Sequence, residues 1–549
     1  MQRTGAELLL DCLLSLGTSQ GFGVPGESYL ALLDAFHGRG EQFTFTSCRN
    51  EGGASFMAEA YGKLTRTPGL CFATRGPGAS NASIGVHTAM QNSTPMLLFV
   101  GQASTDMLER EAFQEVDYKH YFGGLAKWVV QINEAARVPE LVSRAWSTAQ
   151  SGRPGPVVLA LPENMLVQTT DVPVCKAVRI SEPAPTEQLI EECVTHLNAA
   201  SRPLLLVGGS RWTDAGRSLL NSFVRKHPMP VAAAFRFQDT VDNNSDCYVG
   251  DAGVAMTPQM QSLIMEADLI LAIGVRLGEM TTRGYSLLDV PDAKQTLIHV
   301  HPSDRELGKV YNPALPIHAG PNQFINALSN KALDMSCEPW LLQARSEYQK
   351  VLDVPVQPGG VDMAAVTRIV AAQLPHDAIV TNGAGNFSTW PNRYLSFGPQ
   401  QRLLAPQSGA MGYGLPAAIM AKQQYPERLV LCFCGDGDFQ MNCQELGTAM
   451  QINACPIVLI VNNSSYGTIR MHQERCYPAR VSGTDIHNPD FSKLASAYGF
   501  YAERVEKTDD FSAAFERAKQ SPTGAVLDLV TSIEALTPRE TLESIRNKK

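Results

Sequence analysis

The stretch Gly435–Thr468, GDGDFQMNCQELGTAMQINACPIVLIVNNSSYGT, decides how the chain folds. An apolar run, Leu429–Phe433, leads into it, and a second, Pro456–Val461, closes it at Asn462-Asn463. Short apolar runs bounded by glycine and asparagine predict buried strands, and Phe439–Ile452 between them predicts helix. Strand, helix and strand in that order make a parallel crossover whose two strand ends meet at one crevice, where open α/β sheets bind ligands. Asp436 and Asn463 stand at those ends. A carboxylate, an amide oxygen and the carbonyls of the following turn form a hard oxygen shell suited to Mg2+ bridging a diphosphate. Gly435 and Gly437 let phosphate oxygens approach the backbone N–H groups at the helix start. The plainer alternative is an ordinary strand-to-helix turn followed by an asparagine-rich loop. Spacing, strand context and the Asn pair together argue against it.

The same grammar continues on both sides. Ala378–Asn382, Arg402–Ala405 and Ala525–Val530 predict further strands of a C-terminal domain, 360–535. Pro203–Gly208, Pro230–Phe235, Asp268–Gly274 and Thr296–His301 predict strands of a central Rossmann-like domain, 185–330. In an N-terminal domain, 1–168, a helix at Ala6–Leu16 precedes a short strand and turn at Gly21–Glu27. Strands at Phe43–Cys48, Leu70–Thr74 and Pro95–Gly101 follow, with a small-residue helix at Gly52–Lys63. The expected fold is α/β, three doubly wound parallel-sheet domains. The Pro-punctuated passage 168–185 reads as a linker, and 329–360 as a polar tether.

With 549 residues the chain is too long for one core, and 44% apolar and 18% charged residues describe an ordinary globular protein. A net charge of −9 without a basic run gives nucleic acid and anionic membranes nothing to hold. The N-terminal apolar run is broken by Asp11 and followed by no small-residue cleavage site, which argues against a signal peptide, and no stretch approaches a membrane span. Twelve scattered cysteines, several inside apolar strands, suit a reducing compartment and a cytoplasmic protein.

The order GDG, spacer, NN is the pattern of thiamine diphosphate (ThDP) enzymes. Residues 49–81, RNEGGASFMAEAYGKLTRTPGLCFATRGPGASN, resemble the pyrimidine-binding domain of their acetohydroxyacid (acetolactate) synthase branch, and SGAMGYGLPAAI at 408–419 resembles its diphosphate-binding domain. The resemblance implies a ThDP- and Mg2+-dependent carboligase acting on a small 2-keto acid, at minimum a homodimer and usually a homotetramer. It implies that Glu51 hydrogen-bonds N1′ of the aminopyrimidine of a cofactor held by another subunit. On its own residues, Glu51 reads more readily as a first-turn carboxylate compensating the helix dipole, and the resemblance changes that weighting. Met411 would be the prop that folds the cofactor, or a routine core methionine. Asp436, Asn463 and the carbonyl of Ser465 would hold Mg2+. Asn386 and Phe387 would line the diphosphate end, with further cofactor contacts from Pro25, Gly409, Gly435, Gly437, Asp438, Tyr466, Gly467 and Thr468. Gln114 matches a site position of the family and reads equally as an exposed loop amide.

The chain departs from the synthase pattern. Glu27 stands at a turn where synthases carry no carboxylate; it either handles protons or is a solvated turn residue. His472 takes the place of the acceptor-selecting tryptophan, and a histidine can bind a polar acceptor or shuttle a proton. A lysine expected after Lys127-Trp128 is missing. These departures keep open 2-keto-acid decarboxylation, as in benzoylformate decarboxylase-like enzymes, and hydrolysis of a 1,2-diketone. A flavin-linked oxidase or a non-enzymatic relative stands further off. Gly208-Gly209-Ser210-Arg211 and Gly274-Val275-Arg276 are compatible with FAD, but such turns are common in α/β domains, and the reading goes against a flavin.

Overall fold

In the computed structural model, which describes residues 2–548, the apolar runs become strands of three six-stranded sheets, parallel throughout. The first holds β1 (Gln20–Gly23), β2 (Thr44–Ser47), β3 (Gly69–Ala73), β4 (Met96–Gln102), β5 (Trp128–Gln131) and β6 (Pro156–Pro162), in the order β2-β1-β3-β4-β6-β5. The second holds β7 (Pro203–Val207), β8 (Val231–Ala234), β9 (Tyr248–Ala252), β10 (Leu269–Ile273), β11 (Thr296–His301) and β12 (Leu315–His318), in the order β9-β8-β7-β10-β11-β12. The third holds β13 (Ile379–Asn382), β14 (Arg402–Leu404), β15 (Val430–Gly435), β16 (Ile457–Asn462), β17 (Tyr501–Val505) and β18 (Ala525–Val530), in the order β14-β13-β15-β16-β18-β17. The first and third sheets therefore share one strand order, and the second has another. Central strands such as β4, β15 and β16 are buried along their whole length, which is why they read as unbroken apolar runs.

The strands absent from the sequence reading have definite causes. β5 and β17 are edge strands without full burial, β12 alternates buried and exposed residues, and β9, another edge strand, carries Gly250 and Asp251, residue types that strands disfavour. β6 is buried but follows the turn-rich Gly152-Arg153-Pro154-Gly155. Two further expectations change. The segment 329–360 is not all tether: Glu338–Leu352 is a helix that buries Trp340, Leu341 and Tyr348 in the central core. Phe439–Ile452 is not one helix but three short turns, Asp436–Gln440, Cys443–Glu445 and Leu446–Gln451. The break falls at Asn442, whose amide donates to the Gly412 carbonyl at 2.9 Å. The passage 168–185 carries only the two-residue strand Thr169–Thr170, paired antiparallel with Arg3–Thr4, and is otherwise free of helix and strand.

One core joins the first and third domains. Helix Glu51–Thr65 packs on helix Gly414–Gln424, and Met57, Val86, Tyr413 and Ile419 share a single cluster. The small residues after Glu51 admit this chain's own third domain: a Cβ on Gly53 would lie 2.7 Å from Glu445 Oε1.

Candidate active site

The third sheet changes direction between β13 and β15, which are neighbours with Asn382 opposite Phe433. The turns after these strands, 383–387 and 436–438, therefore face one crevice, the place where doubly wound sheets bind ligands. In the adjacent pair Gly435 lies opposite Val461, so Asp436 and Asn462-Asn463 leave neighbouring strand ends side by side. Asp436 is buried; its Oδ1 accepts the Gly437 N–H at 2.9 Å and its Oδ2 accepts the Asn488 amide at 2.7 Å. The same Asn488 amide donates to Asn462 Oδ1 at 2.9 Å. Burial raises the Asp436 pKa above the usual carboxylate range, and the hydrogen bonds that offset this come from neutral groups. A desolvated carboxylate served only by neutral donors is short of positive charge, and a divalent cation would supply it.

Asn463 Oδ1 accepts the Ser465 N–H at 3.1 Å, and Ser465 Oγ donates to the Thr484 carbonyl at 2.9 Å, which fixes this turn beside Asp436. Among the described residues no group of three or more His, Cys, Asp or Glu side chains converges. A metal at Asp436 would thus be held by one carboxylate with amide and carbonyl oxygens, a set for a hard cation. Thr468 Oγ1 accepts the Asn386 N–H at 2.9 Å and donates to Asn386 Oδ1 at 3.0 Å, tying the 383–387 turn to helix Gly467–Cys476. Phe387 and Tyr466 lie so close to the backbone that a Cβ on Gly435 would sit 2.8 Å from the Phe387 ring and one on Gly437 2.7 Å from the Tyr466 ring. Gly467 is equally hemmed in, by Asn463 and Leu536.

Asp438 does not open on the crevice in the same way. Its Oδ1 accepts the N–H groups of Ala384 at 3.0 Å and Gly412 at 2.9 Å, so it braces two turns. Burial pushes its pKa up to about 7.

A cavity of about 680 Å³ adjoins this crevice and is lined by Asn386, Gly409, Thr468, Met471 and His472. His472 is exposed to it from helix Gly467–Cys476. The cavity continues to the turns at Gly208 and Gly274, which follow the neighbouring strands β7 and β10 at the direction change of the second sheet. There Arg211 donates to the Gln150 carbonyl, and Arg276 to the Gln91 carbonyl at 2.7 Å. Met411 is half-buried in the loop that carries Gly409.

Glu51 follows the edge strand β2 of the first sheet and turns its carboxylate toward helix Gly76–Asn92, which follows β3. It opens helix Glu51–Thr65, capped by Asn50, whose Oδ1 accepts the Gly52 N–H at 2.7 Å. Glu51 is 8% exposed. Its Oε2 accepts the Asn81 amide at 2.9 Å, and its Oε1 lies near Gly78, where a Cβ would be 3.0 Å away. The turn holding Glu51 is fastened from the third domain: Glu445 accepts the N–H groups of Arg49 and Asn50, each at 3.0 Å. Pro25 and Glu27 are exposed on the turn after β1, which is held by a bond from the Tyr29 hydroxyl to the Val24 carbonyl. Gln114, in a left-handed conformation at φ 61°, accepts the Gly76 N–H at 3.0 Å through its carbonyl.

The candidate residues thus form two sets within one chain. Asp436, Asn463, Ser465, Asn386, Thr468 and Gly409 belong to one, with His472 lining the adjoining cavity. Glu51, Pro25, Glu27 and Gln114 belong to the other, and the cavity beside the first set is reached by the N-terminal domain only through residues such as His87 and Gln91. Asn81, Asn488 and Glu445 escaped the sequence reading. Asn81 closes the quoted 49–81 motif, so a signal existed for it; nothing in sequence spacing joins Asn488 to Asp436 or Glu445 to Arg49.

Comparison with known proteins gives three consecutive matches. Residues 3–121 match the family described as thiamine pyrophosphate enzyme, N-terminal TPP binding domain; 190–328 match its central domain and 383–529 its C-terminal TPP binding domain. The acetolactate synthase large subunit of Parasynechococcus marenigrum (strain WH8102) is 30% identical over 544 residues, 96% of this chain and 87% of that protein. Acetolactate synthase isozyme 2 large subunit of Escherichia coli (strain K12) is 28% identical, covering 93% and 92% of the two chains. A probable acetolactate synthase large subunit of Methanococcus aeolicus is 29% identical, covering 95% and 91%.

Proposed function

This chain belongs to the thiamine pyrophosphate enzymes, in their acetolactate synthase-like branch, and on that premise we propose that it is a Mg2+-dependent, decarboxylating carboligase of small 2-keto acids. The observation that carries the reading is the pairing of buried, cation-deficient Asp436 with Asn463 and Ser465 at adjacent strand ends. These residues would hold Mg2+ and through it the diphosphate, with the Asn386 turn alongside. When bound, ThDP supplies the nucleophilic carbon and the electron sink that decarboxylation needs. Glu51 holds a proton at the aminopyrimidine nitrogen through Oε1, while Asn81 keeps Oε2 in place. His472, at the cavity mouth, meets the acceptor carbonyl.

Because the two sets hang on different sheets and Glu51, Pro25, Glu27 and Gln114 do not line the cavity beside Asn386 and Thr468, the complete site is built by two copies, Glu51 of one against Asp436 of the other. Exposed apolar side chains support this pairing: Leu30, Ile84 and Phe113 in the N-terminal domain, Met441 and Ile469 in the C-terminal one. A homodimer is the working unit and a homotetramer the assembly we favour, in the cytoplasm. No helix among the described residues is long and apolar enough to cross a membrane. Flavin stays outside the proposal, since Arg211 and Arg276 already bond backbone carbonyls; a flavin absorbance band in the purified protein would bring it in. Exposed Glu27 and His472 favour a second reading, simple decarboxylation of a 2-keto acid or hydrolysis of a 1,2-diketone.

Incubation with Mg2+, ThDP and a panel of 2-keto acids and diketones, following CO₂ and ligation products, separates these outcomes. Glu51→Gln is expected to abolish turnover while Mg2+–ThDP affinity stays near wild type; near-normal turnover would sink the mechanism. Asp436→Ala is expected to lose the cofactor on gel filtration, and retention would refute the metal assignment.

A further inference from the structure

Helix Glu51–Thr65 carries a second buried carboxylate two turns beyond Glu51, and the cofactor reading leaves it without a task. Glu59 is 0% exposed, as are Tyr413 and Asn92. The Tyr413 hydroxyl donates to Glu59 Oε2 at 2.5 Å, and the Asn92 amide donates to Oε1 at 2.7 Å. Asn92 Oδ1 in turn accepts the Gln407 N–H at 2.6 Å. Two helices of the first domain thus grip both ends of one loop in the third domain, Gln407–Tyr413. Met411 and Gly409 lie in the middle of that loop.

The placement of the anchors carries the inference. At one end Gln407 is held by Asn92, and Ser408 Oγ pairs with Thr88 Oγ1 at 2.9 Å. At the other end Gly412 is held by Asp438, and Tyr413 by Glu59. The crest Gly409–Met411 bridges these two fixed ends, and Gly409 turns the chain in a left-handed conformation at φ 69°. A crest of three residues goes where its ends direct it. A fully buried carboxylate is costly unless its oxygens are bonded, and an apolar side chain would fill the same space without that cost. A polar hub with both oxygens used therefore serves geometry more than packing.

We propose that Glu59 is a positioning residue which, through Tyr413 and Asn92, fixes both ends of the Gln407–Tyr413 loop and so places Met411 against the cofactor bound by the same chain. The proposal rests on the cofactor reading above. It gives one helix two duties: its first residue serves the partner's cofactor, and its middle braces the loop over its own.

Apo-protein containing methyl-labelled methionine yields an NMR signal for Met411, assigned by its loss in Met411→Leu. Glu59→Gln and Tyr413→Phe are expected to shift or broaden that signal before any cofactor is added. They should leave Mg2+–ThDP affinity within about threefold and slow deuterium exchange at C2 of the bound cofactor about tenfold, equivalent to ~1.4 kcal/mol. In a Met411→Ala background neither change should slow exchange further, because its effect runs through Met411. Gln295→Leu, which removes a buried amide in the central domain, should lower the melting temperature and leave the Met411 signal alone. An unmoved Met411 signal with wild-type exchange overturns the proposal, as do losses that add to that of Met411→Ala. If Glu59→Gln does not fold, Tyr413→Phe decides, since it keeps the ring and its edge contact with Phe56. Failure of the wild-type protein to bind Mg2+–ThDP would instead remove the cofactor reading, and the apo signal would still test the clamp.

Discussion

Asp438 is the residue whose charge state should be felt in solution. Burial raises its pKa from 3.8 to about 7, so between those values the folded chain keeps a proton that the unfolded chain has released. The group therefore lowers stability as pH rises through that window, by roughly 1.4 kcal/mol per pH unit, and the loss stops growing above about 7. Asp438→Asn keeps an oxygen for the Ala384 and Gly412 N–H groups and should remove this fall; melting temperatures of both proteins from pH 4 to about 8 check it. An equal slope in the variant would mean that Asp438 is ionised throughout. At this scale the sequence marked Asp436 and Asn463 as candidates by their place at strand ends, and Glu51 by the resemblance of the stretch around it. It did not disclose Asn488, Glu445 or Glu59, whose partners are brought up from distant segments by packing. Asp438 was legible as part of the motif but not as a brace between two turns.

Among elements, helix Gly467–Cys476 bears Thr468, Met471 and His472 and is itself held by the C-terminal helix Leu542–Asn547. Leu536, Leu542 and Ile545 pack on Met471, and Arg546 bonds both oxygens of Glu474 at 2.9 Å. The Arg546 guanidinium holds Glu474 down to about 2, well below its ordinary 4.5. This contact is therefore at full strength above the ordinary carboxylate pKa and is lost as pH falls toward about 2. Arg546→Ala should speed amide exchange across 542–547 near neutral pH while leaving Asp436 and the cofactor affinity untouched; unchanged exchange would show the apolar contacts suffice. The elements most legible from sequence were strands buried on both faces, where periodicity is replaced by an unbroken apolar run. Phe439–Ile452 misled because Gln440, Met441, Glu445, Leu446 and Ala449 favour helix, while the interruption falls at Asn442, a poor helix former that bonds the Gly412 carbonyl.

For the whole molecule the decisive expectation is complementation. Glu51→Gln and Asp436→Ala are each inactive in the proposed scheme, yet a dimer of one copy of each contains one site with both residues intact. Co-refolded or co-expressed in equal amounts, the two should recover about a quarter of wild-type activity through random pairing in a two-fold dimer. No recovery would place Glu51 and Asp436 in the same chain's site. The first and third domains share a strand order, and in the third the turns carrying Asn386 and Asp436 follow the two strands where the sheet changes direction. By itself the sequence determined the three α/β domains, the cofactor motif and the family, because strand burial and phosphate binding act through short segments whose residue types are constrained in place. Only the tertiary structure decided that the turn beside Glu51 hangs on Glu445, that Asn488 bonds Asp436, and that Glu59 bonds Tyr413 and Asn92. Those facts depend on which surfaces meet when domains pack, and buried polar contacts between segments hundreds of residues apart leave no periodicity for a sequence to display.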